Sequence, residues 1–173
     1  ASATADTNSE TNVTGGQYYR DEYGYWHYKD ASGKDLTGPQ TIDGVKVYFR
    51  DSGVQVKGEF TWDGHYYDKD SGALVTKAFK ELLTYIGRDD INNQNIYTTD
   101  WYYLDADGRP LKGSQNLGGT NMYFFPNGAQ VKGRFAPDGH YYDKDSGALV
   151  TNSFAHVYNW NFQNQDGNRV NHF

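Results

Sequence analysis

The sequence predicts an all-β fold, a β-solenoid-like repeat array of stacked β-hairpins in two units of about 75 residues. Three observations predict it. The chain repeats itself at an offset of 75 residues, each repeat contains a smaller period of about 20 residues, and each small period has the pattern of two strands around a turn. Because an isolated hairpin is only marginally stable in water, hairpins at this spacing must stack on their neighbours.

The long repeat divides the chain. Residues 26–76 align without a gap on residues 101–151, with 31 identities in 51 positions, and the segment GHYYDKDSGALVT occurs at both 64–76 and 139–151. Residues 1–15 are mostly Ser, Thr, Asn, Asp and Ala, and we expect them to form a disordered linker without the features of a signal peptide. A first unit at 16–100 and a second unit at 101–173 follow.

The smaller repeat is visible in the successive stretches WHYKDASGKDLTG, VYFRDSGVQVKG and HYYDKDSGALVT. Each has an aromatic run, a turn of small polar residues, and a short second run. Asn127-Gly128 is the clearest turn, because both residues tolerate the positive φ that a type I′ turn requires, and Ser52-Gly53 takes the same place in the first copy. The sequence therefore predicts two-residue turns at these positions.

Such a turn determines which side chains share a face of the hairpin. It places Phe49 opposite Val56 and Tyr48 opposite Lys57, and opposed residues lie on the same face. The first pair predicts an apolar face. The other face combines rings, amides and cations, and it carries Tyr48, Arg50, Gln55 and Lys57 in the first copy and Tyr123, Phe125, Gln130 and Lys132 in the second. These groups match a pyranose, which has C–H groups on its face and hydroxyls at its rim, although a merely solvated hairpin edge is the alternative.

The segments 77–100 and 152–173 are the least regular. Residues 77–83 fit a short helix, 95–103 fit a strand, and Asp166-Gly167 fits a hairpin turn. We expect a longer fourth hairpin to close each unit.

Composition and charge exclude several functions. With 22 acidic against 16 basic residues, the net charge of −6 argues against a nucleic-acid partner or an anionic lipid surface. No apolar run is long enough to span a bilayer, so we expect no membrane insertion. The absence of cysteine excludes disulfides and thiolate chemistry. Sixteen tyrosines can supply packing area while their hydroxyls meet water or a polar ligand, which suits sugars.

The carboxylates allow a glycosidase hypothesis, since a pair about 5–10 Å apart can hydrolyse a glycosidic bond. However, the candidate aspartates lie in hairpin turns and recur in both copies, as turn residues do. Glu59 aligns with Arg134, so it is no shared acid. The strings DKDSG and DADG lack the ligand set of an EF-hand, and the five histidines do not cluster. We therefore predict no catalytic residue, no metal site and no cofactor.

Three segments resemble the glucan-binding repeats of glucansucrases and glucan-binding proteins, within the wider cell-wall-binding repeat group: TIDGVKVYFRDSGVQVKG at 41–58, WYYLDADGRPLKG at 101–113 and MYFFPNGAQVKG at 122–133. The resemblance covers roughly residues 17–173. It implies a non-catalytic carbohydrate-binding module for α-glucan, such as dextran and isomalto-oligosaccharides. It also implies a larger secreted parent protein at the surface of a Gram-positive bacterium. We expect the chain to be a monomer.

The resemblance further implies pockets in which a stacking aromatic works with the Gln and Lys of a Q-x-K element. Carried onto this sequence, the candidate residues are Tyr48, Gln55, Lys57 and Tyr66 in the first unit and Tyr123, Gln130, Lys132 and Tyr141 in the second. Because neighbouring strand residues point to opposite faces, Tyr66 and Tyr67 cannot both line one groove.

Sister families bind choline in an aromatic cage, which usually includes a Trp directly after the terminal Thr-Gly of a repeat. Here the glycines at 38, 58, 113 and 133 are followed by Pro39, Glu59, Ser114 and Arg134, so we expect no cage of that kind. The alternative function is a structural or cell-wall-anchoring spacer without saccharide specificity. The recurrence of Tyr, Gln and Lys on one face favours the glucan-binding hypothesis, because a spacer does not require it.

Overall fold

The structure, a computed structural model, describes residues 11–154, 161–163 and 169–171. Within these ranges it contains strands and turns but no helix, which confirms the predicted all-β class. The chain divides into two compact units, residues 1–76 and 77–173. The division falls at 76/77 because the long hairpin that follows pairs entirely within the second unit. The glucan-binding units predicted at 16–100 and 101–173 stay a prediction about function.

The described residues of the first unit, 11–76, form three antiparallel hairpins and one added strand. The hairpins pair β2 with β3, β4 with β5, and β6 with β7, and β1 runs parallel to β4. The strands are β1 (Asn12–Val13), β2 (Gln17–Arg20), β3 (Trp26–Lys29), β4 (Gly38–Ile42), β5 (Val45–Phe49), β6 (Glu59–Phe60) and β7 (Tyr66–Tyr67).

The strand β1 differs from the expected linker. Its Val13 packs against the buried cluster that includes Ile42, and Asn12 Oδ1 accepts a hydrogen bond from the Gly44 backbone N–H at 2.7 Å. Two residues of the predicted linker are therefore held by sheet pairing and apolar contact, a long-range effect that local composition does not reveal. Residues 1–10 lie outside the described residues.

The second unit repeats this plan with a much longer first hairpin. The hairpins pair β8 with β9, β10 with β11, β12 with β13, and β14 with β15. The strands are β8 (Ala78–Asp89), β9 (Gln94–Leu104), β10 (Gly113–Leu117), β11 (Thr120–Phe124), β12 (Arg134–Phe135), β13 (Tyr141–Tyr142), β14 (Asn161–Gln163) and β15 (Arg169–Asn171).

In each unit the second hairpin and the third hairpin are each followed by a short return segment that joins it to the hairpin before. In the first unit the Gln55 N–H donates to the carbonyl of Trp26 at 2.8 Å, and the Leu74 N–H donates to that of Lys46 at 2.8 Å. Their equivalents 75 residues later make the same bonds, Gln130 to Trp101 at 2.8 Å and Leu149 to Asn121 at 2.9 Å. Within each unit, stacking is therefore enforced by main-chain hydrogen bonds as well as by apolar burial.

The core consists of strand and return-segment residues from successive hairpins. In the first unit Tyr28, Ile42, Val47 and Phe49 form one buried cluster, against which Leu36 also packs. In the second unit the largest fully buried side chains belong to Leu104, Phe124, Phe125, Val131 and Tyr142. Tyrosine thus supplies part of the packing area, as the composition predicts.

The predicted two-residue turn is wrong, and the pairing register shifts by one residue. The Arg50 N–H donates to the Val54 carbonyl, the Gly53 N–H donates to the Arg50 carbonyl, and Phe49 bridges Gln55. Gly53 has φ of +86°, whereas Ser52 is not among the residues with positive φ. A type I turn followed by one left-handed glycine makes a three-residue loop, so the hairpin gains a residue relative to type I′.

This shift regroups the side chains. Gln55 now pairs with Phe49 rather than Arg50, and Val56 donates its N–H to the Tyr48 carbonyl rather than facing Phe49. The same register, Phe124 with Gln130, occurs in the second unit. The predicted face that unites Tyr48 with Gln55 and Lys57 is therefore wrong, because a one-residue slip exchanges the faces of a strand.

In the irregular segment 77–100 the structure contradicts one predicted element and confirms another. The helix predicted over 77–83 is wrong, since 78–83 belong to β8, whose residues gain cross-strand partners in β9 that a local pattern cannot reveal. The strand predicted over 95–103 is confirmed as part of β9. The hairpin of β14 and β15 brackets Asp166-Gly167, but these two residues lie outside the described residues.

Candidate functional site

Two adjoining cavities of the first unit share the side chains of Trp26, Gln55 and Lys57. One, of about 420 Å³, continues between Tyr25 and Arg50. The other, of about 470 Å³, is lined in addition by Tyr18, Ile42, Asp43, Val45, Val47 and Ser71. We call the two cavities together the Trp26 groove.

The main chain brings the three shared residues together. Trp26 begins β3, and its carbonyl accepts the Gln55 N–H at 2.8 Å, so the return segment lies directly beside the ring. Lys57 follows two residues later and therefore points to the same side as Gln55. Its Nζ lies 5.4 Å from the centroid of the Trp26 ring and donates to the Asp70 carbonyl at 3.1 Å. Lys57 is thus held in place by a cation–π contact and a backbone acceptor.

The amide of Gln55 is the most informative group of the groove. The residue is only 7% exposed. Within the described part of the chain its side chain makes no hydrogen bond to protein, and its amide is not among the fully buried polar groups without a partner, so it keeps access to solvent. Gly72 lies so close that a Cβ at that position would overlap Gln55 Nε2. The packed amide therefore presents donors and an acceptor toward the groove.

The remaining walls combine apolar surface with neutral and paired polar groups. Val45, which is exposed, supplies aliphatic surface. Burial raises the pKa of the Tyr18 hydroxyl, which stays a neutral hydrogen-bonding group at physiological pH. Arg50 forms an ion pair with Glu59 at the rim, where both side chains are exposed. The groove thus offers a ring and aliphatic surface together with several hydrogen-bonding groups.

The second unit repeats the central three residues as Trp101, Gln130 and Lys132, which we call the Trp101 site. Lys132 Nζ lies 5.0 Å from the Trp101 ring centroid and donates to the Asp145 carbonyl at 3.0 Å. Gln130 is 5% exposed, and its Nε2 lies 3.4 Å from the sulfur of Met122, a weak acceptor that replaces Val47.

The rims of the two sites differ. Phe125 replaces Arg50 and is buried, and Arg134 replaces Glu59, so the rim ion pair is specific to the first unit. The Arg20 guanidinium carbon lies 5.4 Å from the Trp26 ring, whereas Glu81 is the cross-strand partner of Trp101.

The predicted tyrosines lie elsewhere. Tyr48 pairs with Pro39 across the hairpin, and its ring is 5.9 Å from that of Tyr67; Tyr66 is 3% exposed and packs on Phe60 at 5.2 Å. None of these rings lines the Trp26 groove.

Their second-unit equivalents are placed in the same way. The Tyr123 ring is 6.0 Å from that of Tyr142, and the Tyr141 ring is 5.3 Å from that of Phe135. In both units the register shift accounts for the placement of Tyr48 and Tyr123, because it turns them away from the Gln and Lys of the return segment.

The sequence patterns did not single out Trp26 and Trp101 as candidate site residues. A signal was available, since they are the only pair among the four tryptophans related by the 75-residue offset. The contact with the Q-x-K segment, however, depends on the hydrogen bond between hairpins, which no local pattern predicts.

The turn aspartates have structural hydrogen bonds. Asp143 Oδ2 accepts the backbone N–H groups of Asp145 and Ser146 at 2.9 and 2.8 Å, and these bonds, with that from the Ser146 hydroxyl, lower the pKa of Asp143. Asp68 makes the equivalent bonds in the first unit. Over the described ranges, no group of three potential metal ligands comes together. The same ranges hold no helix of the length and apolarity that crossing a membrane requires.

Comparison with known proteins identifies related chains. Residues 36–79 and 111–154 match the choline-binding repeat family. Glucosyltransferase-S of Streptococcus mutans is 40% identical over 146 residues, which span 80% of this chain and 9% of that protein. Glucosyltransferase-I of Streptococcus downei is 35% identical over 158 residues, 87% of this chain and again 9% of the relative. The resemblance to the repeats of glucansucrases is therefore confirmed.

Among solved structures, choline binding protein F of Streptococcus pneumoniae matches with 30% identity and a TM-score of 0.58, over 88% of this chain and 47% of that one. This likeness supports the all-β repeat of hairpins. The chain spans about a tenth of the length of the glucosyltransferases it matches.

Proposed function

We propose that this chain, which belongs to the choline-binding repeat family, is a non-catalytic module that binds α-glucan at the Trp26 groove and the Trp101 site. The observation that carries the proposal is the same Trp, Gln and Lys arrangement at two sites 75 residues apart, with the Gln55 amide packed but unsatisfied by protein. A ring beside a preorganised amide suits a pyranose ring with hydroxyls at its rim.

The curated relatives support the choice of ligand and the parent protein. Both are named glucosyltransferases, and this chain aligns with only about a tenth of each. We infer that it forms part of a larger glucosyltransferase-like protein, whose catalytic chemistry resides in other regions. Secretion to the bacterial cell surface and a monomeric state belong to the same proposal.

Binding combines stacking with hydrogen bonds at each site. The indole ring contacts the C–H face of a glucosyl unit, the glutamine amide donates to one hydroxyl and accepts from another, and the lysine ammonium donates to a third. The groove is open, so the contacts stay partly hydrated, and a Kd of about 1 mM, equivalent to about −4 kcal/mol, is expected for a single site. Two sites on one polymer raise the apparent affinity by about 10²-fold where both engage.

The charges at the ring favour a neutral ligand over choline. Lys57 Nζ and the Arg20 guanidinium each lie 5.4 Å from the Trp26 centroid. A quaternary ammonium at the same ring would be repelled by both cations, whereas an aromatic cage for choline requires a ring free of cations. A sugar carries no net charge, and its hydroxyls can accept a hydrogen bond from the lysine ammonium.

The test is titration of isomaltotriose and of dextran against wild type, Gln55→Ala, Gln130→Ala and the double variant. Each single change should weaken dextran binding about tenfold, and the double change should abolish it, because each removes one packed amide. Gln40→Ala and Gln115→Ala are matched controls: they are also 75 residues apart, but their amides donate to the Thr37 and Lys112 carbonyls, away from the site.

The outcomes separate the alternatives. If wild type binds neither sugar, the function is wrong and the saccharide-independent spacer is favoured. If both sugars bind but the double variant is unaffected, glucan binding stands and the proposed sites are wrong. Choline chloride in place of sugar should produce no saturable binding.

A further inference from the structure

The first hairpin of the second unit is far longer than its counterpart. β8 and β9 span 78–104, whereas β2 and β3 span only 17–29. Trp101 aligns with Trp26, so the extra length lies beyond the aligned tryptophan, in residues 82–100. This extension is a two-stranded sheet that pairs with no third strand in the described part of the chain.

One face of this hairpin is rich in rings and open to solvent. The cross-strand pairs Phe79 with Tyr103, Glu81 with Trp101, Leu83 with Thr99, and Tyr85 with Tyr97 all lie on it. We call the side chains of these eight residues the hairpin platform.

At the far end of the platform, Tyr85 and Tyr97 are 56% and 52% exposed, and their rings meet edge to face at 5.9 Å. Leu83, between them and Trp101, is 73% exposed. Neighbouring exposed apolar side chains of this kind are typical of a binding surface.

The platform is continuous with the Trp101 site. Trp101 belongs to both, because its ring contacts Lys132 and because β9, the strand that carries it, also carries Tyr97. Tyr97 and Trp101 are four positions apart on β9, so their Cα atoms lie about 13 Å apart along the strand. A ligand that leaves the Trp101 site along the strand therefore meets further rings on the same face.

The chemistry of the platform suits a neutral polymer with apolar faces and hydroxyl rims. Its members include Tyr hydroxyls and Thr99 but only one charged side chain, Glu81. Of the four charged residues of the extension, Arg88, Asp89 and Asp90 lie at its tip, where Arg88 contacts Asp90 and Asn95, and Asp100 is buried on the opposite face. A charged partner would find few complements on the platform, whereas exposed tyrosine rings can stack on sugars.

We propose that the hairpin platform is a second contact surface for the α-glucan chain held at the Trp101 site, so that the second unit binds a longer stretch of polymer than the first. The proposal rests on the glucan-binding function proposed above. It assigns a binding role to Tyr85 and Tyr97, which lie in the extension that the short hairpin of β2 and β3 in the first unit lacks.

The test compares Y85A/Y97A with wild type in isomaltotriose and in dextran. Affinity for dextran should fall about tenfold, and affinity for isomaltotriose, which the Trp101 site accommodates, should stay within twofold. The control is T84A/T98A, a cross-strand pair one position away on the opposite face, which lowers hairpin propensity without touching the platform. This control should leave dextran affinity unchanged, and an equal loss in both double variants would overturn the proposal.

A second measurement does not depend on variants. Nitration of the wild-type chain by tetranitromethane, followed by mass spectrometry, should show Tyr85 and Tyr97 protected by dextran. Tyr23, 77% exposed and outside the Trp26 groove, should react equally with and without polymer.

The results distinguish failure of this proposal from failure of the function. If wild type does not bind dextran, both are wrong. If it binds dextran but Tyr85 and Tyr97 are not protected, only the platform is wrong. A self-associated chain that Y85A/Y97A dissociates and dextran leaves intact would identify a second copy as the occupant and overturn the proposal.

Discussion

At the scale of single residues, tryptophan rather than tyrosine is the ring beside the Q-x-K segment. The Trp26 ring shares its groove with Gln55 and Lys57, while Tyr66 is buried against Phe60, where burial also raises the pKa of its hydroxyl. A tyrosine enclosed in this way contributes packing area and no accessible ring face. The position of an aromatic residue in the fold, rather than its type, therefore decides whether it packs in the core or lines the proposed site.

Replacing these tryptophans should weaken sugar binding selectively. Trp26→Ala and Trp101→Ala should each lower affinity for isomaltotriose at their own site by about tenfold, equivalent to about 1.4 kcal/mol, because the stacking surface is lost. Calorimetric titration in the background of the other site's Gln→Ala variant isolates each site. Trp62→Ala is the control, since Trp62 is 82% exposed on a turn outside the Trp26 groove. Equal losses in all three variants would contradict this assignment.

At the scale of elements, turns position the site. The three-residue loop at 51–53 places Gln55 opposite Phe49, and the later turn at 68–73 brings Gly72 against the Gln55 amide. Gly147 has the same relation to Gln130. The turn that follows one hairpin therefore determines the position of a glutamine side chain on the return segment of the hairpin before it.

Gly147→Ala should impair binding beyond its effect on stability. Gly147 has φ of +72°, and an added Cβ would overlap Gln130 Nε2. Gly139→Ala is a matched control with φ of +84° and open space around the site of the Cβ. Both variants should lose about 1 kcal/mol of folding free energy from left-handed backbone strain, measured by urea unfolding. Only Gly147→Ala should also weaken sugar binding at the Trp101 site, and equal binding in both would argue that Gln130 is not the contact.

At the scale of the whole molecule, the same carboxylate device stabilises turns throughout the chain. Asp30 accepts hydrogen bonds from the Ser32 hydroxyl and from the Lys34 and Ser32 backbone N–H groups, which lower its pKa, and backbone N–H donors do the same for Asp143. His27 hydrogen-bonds Asp21 and lowers the pKa of that carboxyl. Each of these groups is a better acceptor when ionised, so folding and ionisation are linked.

The fold should therefore be acid-sensitive with a definite sign. Because the folded pKa values lie below the ordinary aspartate value of about 3.9, the stabilisation is fully present above about pH 4 and is lost as the pH falls through the folded values. The melting temperature should be nearly constant between about pH 5 and 7 and fall below about pH 4. Asp143→Asn should lower the melting temperature at pH 7, and the difference from wild type should shrink in acid. A difference that persists unchanged at low pH, measured by scanning calorimetry, would show that ionisation of Asp143 is irrelevant.

The two proposed sites are also a property of the whole chain. Duplication copies the central Trp, Gln and Lys, while substitutions such as Arg50 to Phe125 and Val47 to Met122 change the surroundings. The second copy further gains the long hairpin. Repetition thus supplies two related sites, and divergence around them gives the two units different rims.

The sequence by itself determined the all-β class, the two-fold repetition, the hairpin period and the recurrence of the Q-x-K segment. These features depend on local patterns: turn residues, strand alternation and identity at a constant offset. They can be recognised in the sequence without knowledge of the tertiary contacts, and the family relation follows from the same patterns.

Only the tertiary structure decided the register of the hairpins, the ring that lies beside each Q-x-K segment and the strand character of 78–83. Register depends on a three-residue loop that differs from a two-residue one by a single backbone conformation, yet it exchanges the faces of the strand. Trp26 meets Gln55 because a main-chain hydrogen bond joins residues 29 positions apart. The segment 78–83 is extended because β9 supplies its hydrogen bonds, and such long-range partners override local propensity.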